Sequence, residues 1–355
     1  MRIGLLGLPM AGKKTLFRLL TGKEPKRDGS NGNVLGLARV RDIRFDRLVE
    51  IYKPRKTTPA HIEFSLLPGL NGEVSRKEEA LRDLERVDVI CLIIRAFHDD
   101  TVFHIGGEIS PRQDILQLSE ELALKDLLLI EKRLERLQKE KNRKTNGQEK
   151  LLEGELLTRM RLHLEAGHFL GDFSLTEAEE KIIRGYPFVT RKPTVVVLNT
   201  TETNPLAEDL MDALKKAFPE KPFHWIAVSA KIEEEVSQLD PRERLVFLEE
   251  LGLGESALDR LTLLCYNALG LISFFTVGQD EVRTWTLRRG SRAPQASRVI
   301  HSDLERGFIR AEVMKYGDLI DLGNEQRVKE AGRYLQKGRD YVVEDGDIIS
   351  FLFHV

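Results

Sequence analysis

The feature that most restricts the fold is a glycine loop that follows a short apolar run near the start of the chain. The run "RIGLLGL" leads into Gly7, four intervening residues, Gly12 and Lys13, which match G-x-x-x-x-G-K. Between a strand and a helix, the backbone N–H groups of such a loop can surround a phosphate while the lysine reaches its outer oxygens. Taken alone, the match also fits a purely structural glycine turn. We predict a nucleotide phosphate site at Pro9, Met10, Ala11, Gly12, Lys13, Lys14 and Thr15.

Further apolar runs indicate an α/β fold with a parallel sheet. The segments "HIEFSLL", "VDVICLII", "TVVVLN" and "HWIAVSA" alternate with amphipathic helical segments. Short buried runs bounded by glycine or proline are typical of parallel strands covered on both faces. We assign residues 1–115 and 186–270 to this domain.

Residues 116–185 interrupt the sheet pattern with a highly charged helical segment. Apolar positions repeat at spacings of three and four on both sides of the polar break "KNRKTNGQEK": Leu127, Ile130, Leu134 and Leu137 before it, and Leu157, Met160 and Leu164 after it. This spacing predicts two antiparallel helices that form a coiled-coil hairpin. Its charged surface is either a solvated helix face or a surface that binds a partner.

The last segment, 271–355, changes to strand-like alternation. "ISFFTV", "VRTWTL" and "GDIISFLFHV" read as strands, and a short helix is expected near "HSDLERGF". The turn signals between these pieces predict a compact α+β domain.

Two polar loops follow predicted strands downstream of the glycine loop. "NTTE" follows "TVVVL", and "SAK" follows "HWIAV". In open α/β sheets, ligands bind at the carboxyl ends of the strands, so these two loops are expected to meet there. The predicted base-binding residues are Asn199, Thr200, Glu202, Ser229, Ala230 and Lys231.

The charge balance restricts the possible partners. Fifty-five basic and 57 acidic residues give a formal charge of −2, which points neither to DNA nor to a membrane. An RNA contact would need a local patch, for which Arg288, Arg289 and Arg292 are the candidate; the alternative is a solvated turn.

The two cysteines, Cys91 and Cys265, lie in separate apolar segments. They form neither a metal cluster nor a disulfide framework, and no stretch approaches the length of a membrane span. His224 and His301 have no companions at metal-ligand spacing. We therefore expect no protein metal site and a cytoplasmic location.

Several motifs together resemble the YchF or Obg-like ATPase family of P-loop proteins. They are "GLP-x-x-GK-x-TLF", "IIRAFHDDTVFHIGG", "NTTE" in place of the N-K-x-D of ordinary GTPases, "SAKIEEE" and "FFTVGQDEVRTWTLRRGSRAPQASRVIHSDLERGFIRAEV". The resemblance covers nearly the whole chain. It implies a P-loop G domain with a coiled-coil insertion and a C-terminal ubiquitin-like β-grasp (TGS) domain. It also implies a cytoplasmic protein that prefers ATP to GTP and associates with ribosomes.

The base preference has a physical interpretation within this resemblance. A guanine site uses the carboxylate of N-K-x-D to accept hydrogen bonds from the base, and the altered loop 199–202 need not place Glu202 there. The same resemblance puts His98, Asp99 and Asp100 beside the nucleotide site, which makes a separate metal or acid–base cluster the less favoured interpretation.

The chain departs from the family pattern where magnesium is normally bound. Lys14 replaces the Ser whose hydroxyl is a metal ligand, and Leu66 stands in place of the Asp in the family's D-I-A-G-L segment. Met10 replaces an Asn that binds potassium in related proteins. Magnesium binding is therefore doubtful.

The switch segments are also altered. Only Ser30 is spaced to stand near the threonine of the first switch, whereas Gly69 and Leu70 match the second. We assign Ser30, Gly69 and Leu70 as switch residues, and the catalytic residues stay unassigned.

Three functional hypotheses follow. The first is a nucleotide-binding regulator, with ATP preferred and GTP possible, that contacts the ribosome or ribosomal RNA and has weak or lost hydrolysis. In it, Lys13 and Lys14 supply the positive charge that magnesium normally brings. The second is a magnesium-dependent ATPase that takes its metal ligands from substrate phosphate and water. The third is a scaffold for RNA or protein that binds no nucleotide.

Overall fold

The computed structural model describes residues 1–25, 34–70, 74–99, 101–102, 107–140, 147–201, 206–250 and 255–354. The strands are β1 Arg2–Gly7, β2 Val34–Arg39, β3 Lys56–Thr58, β4 His61–Leu66, β5 Val89–Arg95, β6 Thr194–Asn199, β7 Phe223–Val228, β8 Leu271–Thr276, β9 Glu281–Arg288, β10 Phe308–Lys315, β11 Leu335–Lys337 and β12 Asp347–Phe353. The helices are α1 Lys13–Thr21, α2 Ile43–Tyr52, α3 Val74–Glu85, α4 Pro111–Glu140, α5 Gly147–Glu165, α6 Glu177–Ile183, α7 Leu206–Ala217, α8 Ala230–Gln238, α9 Pro241–Glu250, α10 Ala257–Ala268, α11 Ala293–Ile300, α12 Ser302–Arg306, α13 Tyr316–Leu322 and α14 Glu325–Glu330.

The first sheet has the strand order β2-β4-β1-β5-β6-β7, and β4, β1, β5, β6 and β7 pair in parallel. Every residue of β5 and β6 is buried, as expected for central strands covered by helices on both faces. Since the strands are parallel, the ends of β1, β5, β6 and β7 lie at one edge of the sheet. This edge carries the glycine loop and both predicted base loops.

The insertion is a helical hairpin whose first helix, α4, begins at Pro111. Arg133 near the end of α4 donates two hydrogen bonds of 2.8 Å to Glu153 near the start of α5, so the two helices run antiparallel. At the base of the hairpin, the buried carboxylate of Asp126 accepts hydrogen bonds from the N–H groups of Val189 and Thr190. These bonds fix the hairpin to the turn that leads into β6.

The second sheet has the strand order β11-β10-β12-β8-β9-β3. The β8–β9 hairpin is antiparallel, β12 pairs in parallel with β8, and α11 packs on one face through Ala293 and Ala296. This arrangement is a β-grasp. The predicted fold class, a P-loop G domain with a coiled-coil insertion and a C-terminal β-grasp domain, is confirmed.

The C-terminal unit contains a segment from far upstream. It groups Ala38–Ile62 with Thr262–Val355, although the sequence prediction placed all of residues 1–115 in the G domain. β3 pairs in parallel with β9, and the buried Phe45 and Leu48 of α2 pack on a face of the sheet opposite to α11. The apolar face of α2 is buried there, which explains the difference from the predicted range. The other predicted boundaries stay predictions.

Arg44 of α2 links this segment to Asp345, which lies just before β12. Its guanidinium donates to both carboxylate oxygens of Asp42 and to both oxygens of Asp345, at 2.8–3.2 Å. Asp345 in turn accepts from the backbone N–H of Ser273 in β8. In the part of the chain that the structure describes, no helix combines the length and apolar character needed to cross a bilayer.

Candidate functional site

The loop between β1 and α1 adopts left-handed backbone at two positions, with φ of 63° at Met10 and 94° at Gly12. A side chain at Gly12 would collide with the carboxamide of Asn199, so glycine is required both for the backbone angle and for the space. The loop thereby turns directly into α1, whose first turn presents Lys13, Lys14 and Thr15.

Lys13 lies half-buried, and its Nζ donates to the carbonyl oxygen of Gly7 at 2.5 Å. Burial, and secondarily the charge of the neighbouring Lys14, lowers the pKa of Lys13 to about 8. Lys14 itself is exposed. An anion that entered the loop would therefore meet two adjacent positive side chains, one of them held in a poorly hydrated position.

Asn199 joins the glycine loop to the second base loop. Its Nδ2 donates to the carbonyl oxygen of Ala11 at 3.1 Å, and its Oδ1 accepts from the N–H of Ala230 at 3.1 Å. The side chain is 3% exposed, and both of its polar ends are satisfied by backbone groups of different loops. The predicted phosphate and base loops are thus held in one arrangement by a single carboxamide.

Ser229 begins α8 as its N-cap, and its Oγ accepts from the N–H of Ile232 at 3.3 Å. Ala230 is buried, whereas Lys231 is exposed and interacts electrostatically with Asp99 of the loop that follows β5. Hydrogen bonds from Thr101 lower the pKa of Asp99 first of all, and the charges of Arg95 and Lys231 act in the same direction. Asp99 is therefore an anion beside the second base loop.

A cavity of about 500 Å³ opens at this edge of the sheet. Six of its lining residues are predicted site residues: Gly12, Thr15, Asn199, Thr200, Ala230 and Lys231. Six further residues line it: Phe97, His98, Asp99, Val102, Thr201 and Glu234. Of these, the family resemblance had placed His98 and Asp99 beside the nucleotide site, and the other four were not predicted. The remaining predicted loop residues, Pro9, Met10, Ala11, Lys13, Lys14 and Ser229, lie in the segments that adjoin it.

Four of these further residues, Phe97, His98, Asp99 and Val102, belong to the loop after β5, which begins in the segment "RAFHDD". β5 and β6 are paired so that Arg95 stands opposite Asn199, which places this loop beside the first base loop. The sequence feature that could have identified this loop as part of the site is a polar segment directly after a buried strand, the same feature that identified "NTTE". Asp100 lies outside the described residues.

Two predicted site residues, Ser30 and Glu202, also lie outside the described residues. Of the two predicted second-switch residues, Gly69 is half-exposed and Leu70 is 4% exposed within the hydrophobic core. Neither residue lines the cavity as described.

Comparison with known proteins agrees with this architecture. Residues 271–354 match the family model YchF-GTPase_C, described as "Protein of unknown function (DUF933)". The chain is 36% identical over 366 residues to the ribosome-binding ATPase YchF of Bacillus subtilis, with 99% of each chain covered. The chain belongs to the YchF and Obg-like ATPase family.

Other family members match it along their length. Identity is 34% to Obg-like ATPase 1 of Oryza sativa subsp. japonica, with 100% of this chain and 92% of that protein covered. The structure of the Schizosaccharomyces pombe YchF GTPase superimposes with a TM-score of 0.86 at 31% identity, covering 99% of this chain and 97% of that one.

The two positions at which the family pattern supplies magnesium ligands do not fit a metal in this chain. Lys14 is an exposed ammonium on the first turn of α1, and Leu66 is an apolar side chain at the end of β4. An ammonium repels a cation and an alkyl group offers no oxygen. Within the described ranges, no three His, Cys, Asp or Glu side chains gather in a way that could hold a metal ion.

Proposed function

We propose that this YchF-family chain binds a nucleotide, ATP in preference to GTP, in the cavity between the glycine loop and the two base loops. The observation that carries the proposal is the carboxamide of Asn199, which bonds Ala11 in one loop and Ala230 in the other. A cavity of about 500 Å³ is large enough for a nucleotide and lies where ligands bind in open α/β sheets.

The phosphates would lie against the loop from Pro9 to Thr15. The left-handed angles at Met10 and Gly12 bend the backbone into a cradle, and the N-terminus of α1 favours negative charge. Lys13 would leave the carbonyl of Gly7 for a phosphate oxygen, so that its ammonium would bond an anion instead of an uncharged acceptor. Lys14 would add a second charge from the exposed side.

The base would occupy the side formed by Asn199, Thr200, Ser229, Ala230 and Lys231. The loop after β6 reads Asn-Thr-Thr-Glu in place of N-K-x-D, and this altered loop need not place the carboxylate of Glu202 where a guanine site accepts the N1 and N2 protons of the base. Without that contact guanine has no advantage over adenine, which is the basis of the proposed preference for ATP. We retain Glu202 as a proposed base-side residue.

Hydrolysis is proposed to be weak or absent because Lys14 and Leu66 supply no metal ligand. Magnesium polarises the transferred phosphate and positions it, and each of these effects is worth several kcal/mol of the activation barrier. Two lysines can replace the charge of a metal in binding, but they do not reproduce its geometry in the transition state.

We also propose that the protein has a regulatory role at the ribosome. The relatives that match this chain along its length are named ribosome-binding ATPases. Nucleotide occupancy would then bias the conformation that a ribosome or its RNA selects. Co-sedimentation with ribosomes at two salt concentrations tests this part; absence from the pellet at low salt contradicts it.

The decisive experiment measures ATP affinity by calorimetry, with magnesium and with excess EDTA, together with phosphate release. We expect the wild type to bind equally well in both buffers and to release no phosphate. The double variant Lys14→Ser with Leu66→Asp restores two oxygen ligands and is expected to bind more tightly with magnesium than with EDTA.

Two controls isolate the metal effect. Lys216→Ser removes one positive charge from the exposed surface of α7, and Lys14→Ser with Leu66→Asn adds polarity without a carboxylate. Neither should create strong magnesium dependence. Magnesium-dependent binding and rapid turnover by the wild type would support an ordinary family ATPase, and an absence of saturable heat with ATP and GTP would support a scaffold.

A further inference from the structure

Arg95 is a fully buried cation at the carboxyl end of β5, with 1% of its surface exposed. Its guanidinium donates to three backbone carbonyls: Nε to Phe97 at 3.2 Å, Nη1 to Val102 at 2.9 Å and Nη2 to Asp99 at 3.2 Å. The group also stacks against the Phe97 ring at 4.6 Å from the ring centre. Burial of a cation costs free energy unless its N–H donors are satisfied, and these contacts supply the hydrogen-bond acceptors that the buried guanidinium needs.

The acceptors at Phe97, Asp99 and Val102 belong to the loop that follows the strand. Arg95 bonds the first part of the loop at three places, Phe97, Asp99 and Val102, so one side chain fixes the path of this part. At the root of the loop, the N–H of Ala96 donates to the carbonyl of Asn199 at 2.8 Å. The loop therefore takes its position from a buried guanidinium and from the strand that carries the first base loop.

The outward side of the same loop is a wall of the cavity. Phe97, His98, Asp99 and Val102 all line it, and Asp99 interacts with Lys231 of the second base loop. The contacts of Arg95 are made from the interior, whereas the lining residues face the cavity. Arg95 can thus govern the shape of this wall without touching a ligand.

We infer that Arg95 is a positioning residue for the nucleobase and ribose, and that its carbonyl contacts hold the wall formed by Phe97, His98, Asp99 and Val102 against them. This inference rests on the proposed function and deepens it. The phosphate contacts of the glycine loop do not depend on this wall, since Lys13 is placed by β1 and α1. Loss of the guanidinium fork should weaken binding of a whole nucleotide and leave binding of a bare phosphate chain intact.

The test compares ATP with inorganic tripolyphosphate, both titrated by calorimetry in EDTA. Arg95→Lys keeps the positive charge but replaces a planar fork with one nitrogen atom, which cannot reach three separated carbonyls in the same geometry. We expect the ATP affinity of this variant to fall at least tenfold and the tripolyphosphate affinity to change less than twofold. Arg95→Gly should regain part of its ATP affinity when guanidinium, but not methylammonium, is added at millimolar concentration.

A second variant covers the case in which changes at Arg95 prevent folding. Asp99 accepts from the N–H of Thr101 at 2.9 Å and from its hydroxyl at 2.6 Å, which closes the exposed tip of the loop. Thr101→Ala removes the hydroxyl without disturbing the core and should reduce ATP affinity about threefold, again without effect on tripolyphosphate. Thr176→Ala, which removes a comparable hydroxyl from the N-cap of α6, is the matched control.

Equal weakening of both ligands in Arg95→Lys would mean that the arginine only stabilises the domain, and this would overturn the inference. The inference would also be overturned if Thr101→Ala and one of the two Arg95 variants, measured as separate proteins, both kept the ATP affinity of the wild type. The proposed function fails separately: a wild type that binds neither ligand contradicts nucleotide binding itself, and one that binds only tripolyphosphate contradicts the base pocket.

Discussion

The two ends of the candidate cavity are built from different kinds of contact. At the base end, buried polar groups such as Asn199 and Arg95 bond the backbone of the surrounding loops. At the phosphate end, the positions that depart from the family pattern include the exposed Lys14 and the strand-terminal Leu66. Loss of one buried hydrogen bond at the base end would lower the stability of the fold, whereas a change of an exposed side chain has little effect on folding.

This difference indicates that base binding and metal binding are separable properties of the fold. We expect that a chain can retain the loops that define the cavity and lose the side chains that coordinate a metal. The comparison can be tested with substitutions at each end.

The largest effect is expected from Asn199→Ala at the base end. Removal of the carboxamide leaves the carbonyl of Ala11 and the N–H of Ala230 without their partner in a buried position. An unsatisfied buried group costs about 1–3 kcal/mol, so the free protein is expected to relax to loop positions in which these groups are hydrated. ATP binding must then restore the original positions, and a cost of about 2 kcal/mol for this step corresponds to a loss of about thirtyfold in ATP affinity.

Calorimetry with ATP measures this loss. Thr201→Ala is the matched control, since Thr201 lines the same cavity but is exposed. If Asn199→Ala and the control bind ATP equally well, the base end does not depend on the bond network, and the comparison drawn above fails.

A smaller effect, confined to the phosphate end, is expected from a change of pH. The pKa of Lys13 in the ligand-free protein is about 8, and a bound phosphate favours its charged form and raises that pKa. Tripolyphosphate affinity should therefore be constant below about pH 8 and fall above it, by about tenfold between pH 7 and pH 9.

Lys13→Arg provides the control for this profile, because a guanidinium stays protonated throughout the range. Its tripolyphosphate affinity should change much less between pH 7 and pH 9. A wild-type profile as flat as that of the variant would show that Lys13 does not titrate on binding.

The smallest effect is expected from Arg18→Met, which removes the ion pair between α1 and Glu234 of α8. Glu234 lines the cavity, but both partners are more than one-third exposed, and such pairs are worth about 0.2–1 kcal/mol. ATP affinity should fall by no more than about fivefold. Arg39→Met, which removes an ion pair of similar exposure with Asp46, should have no effect on ATP binding.

A loss of tenfold or more in Arg18→Met would contradict the comparison in a specific way. It would mean that an exposed pair, and not only the buried network, places the base end of the cavity.

The sequence predicted the elements of the cavity whose signal is local. Asn199 directly follows four apolar residues, and parallel strands bring their ends together, so its place beside the glycine loop follows from the fold class. The helical hairpin was predictable for the same reason, since its apolar spacing of three and four is visible within one segment.

Other features depend on tertiary contacts that no local pattern records. Arg95 reads as the polar end of an apolar strand, and nothing in "IIRAF" shows that its guanidinium turns back to bond three carbonyls. Leu70 matched a switch position, yet it is buried in the core. The pairing of β3 with β9 joins segments that are separated by most of the chain, and sequence periodicity contains no information about such a partner.

That pairing has a consequence for the order in which the chain can fold during its own synthesis. Residues 38–62 are translated roughly 200 residues before β8 and β9, a delay of about 10–40 seconds at ordinary elongation rates. During this interval the apolar side chains of Phe45 and Leu48 have no sheet to cover them. The C-terminal unit can therefore complete its core only after nearly the whole chain has been made, and its early segment waits for the last strands to emerge.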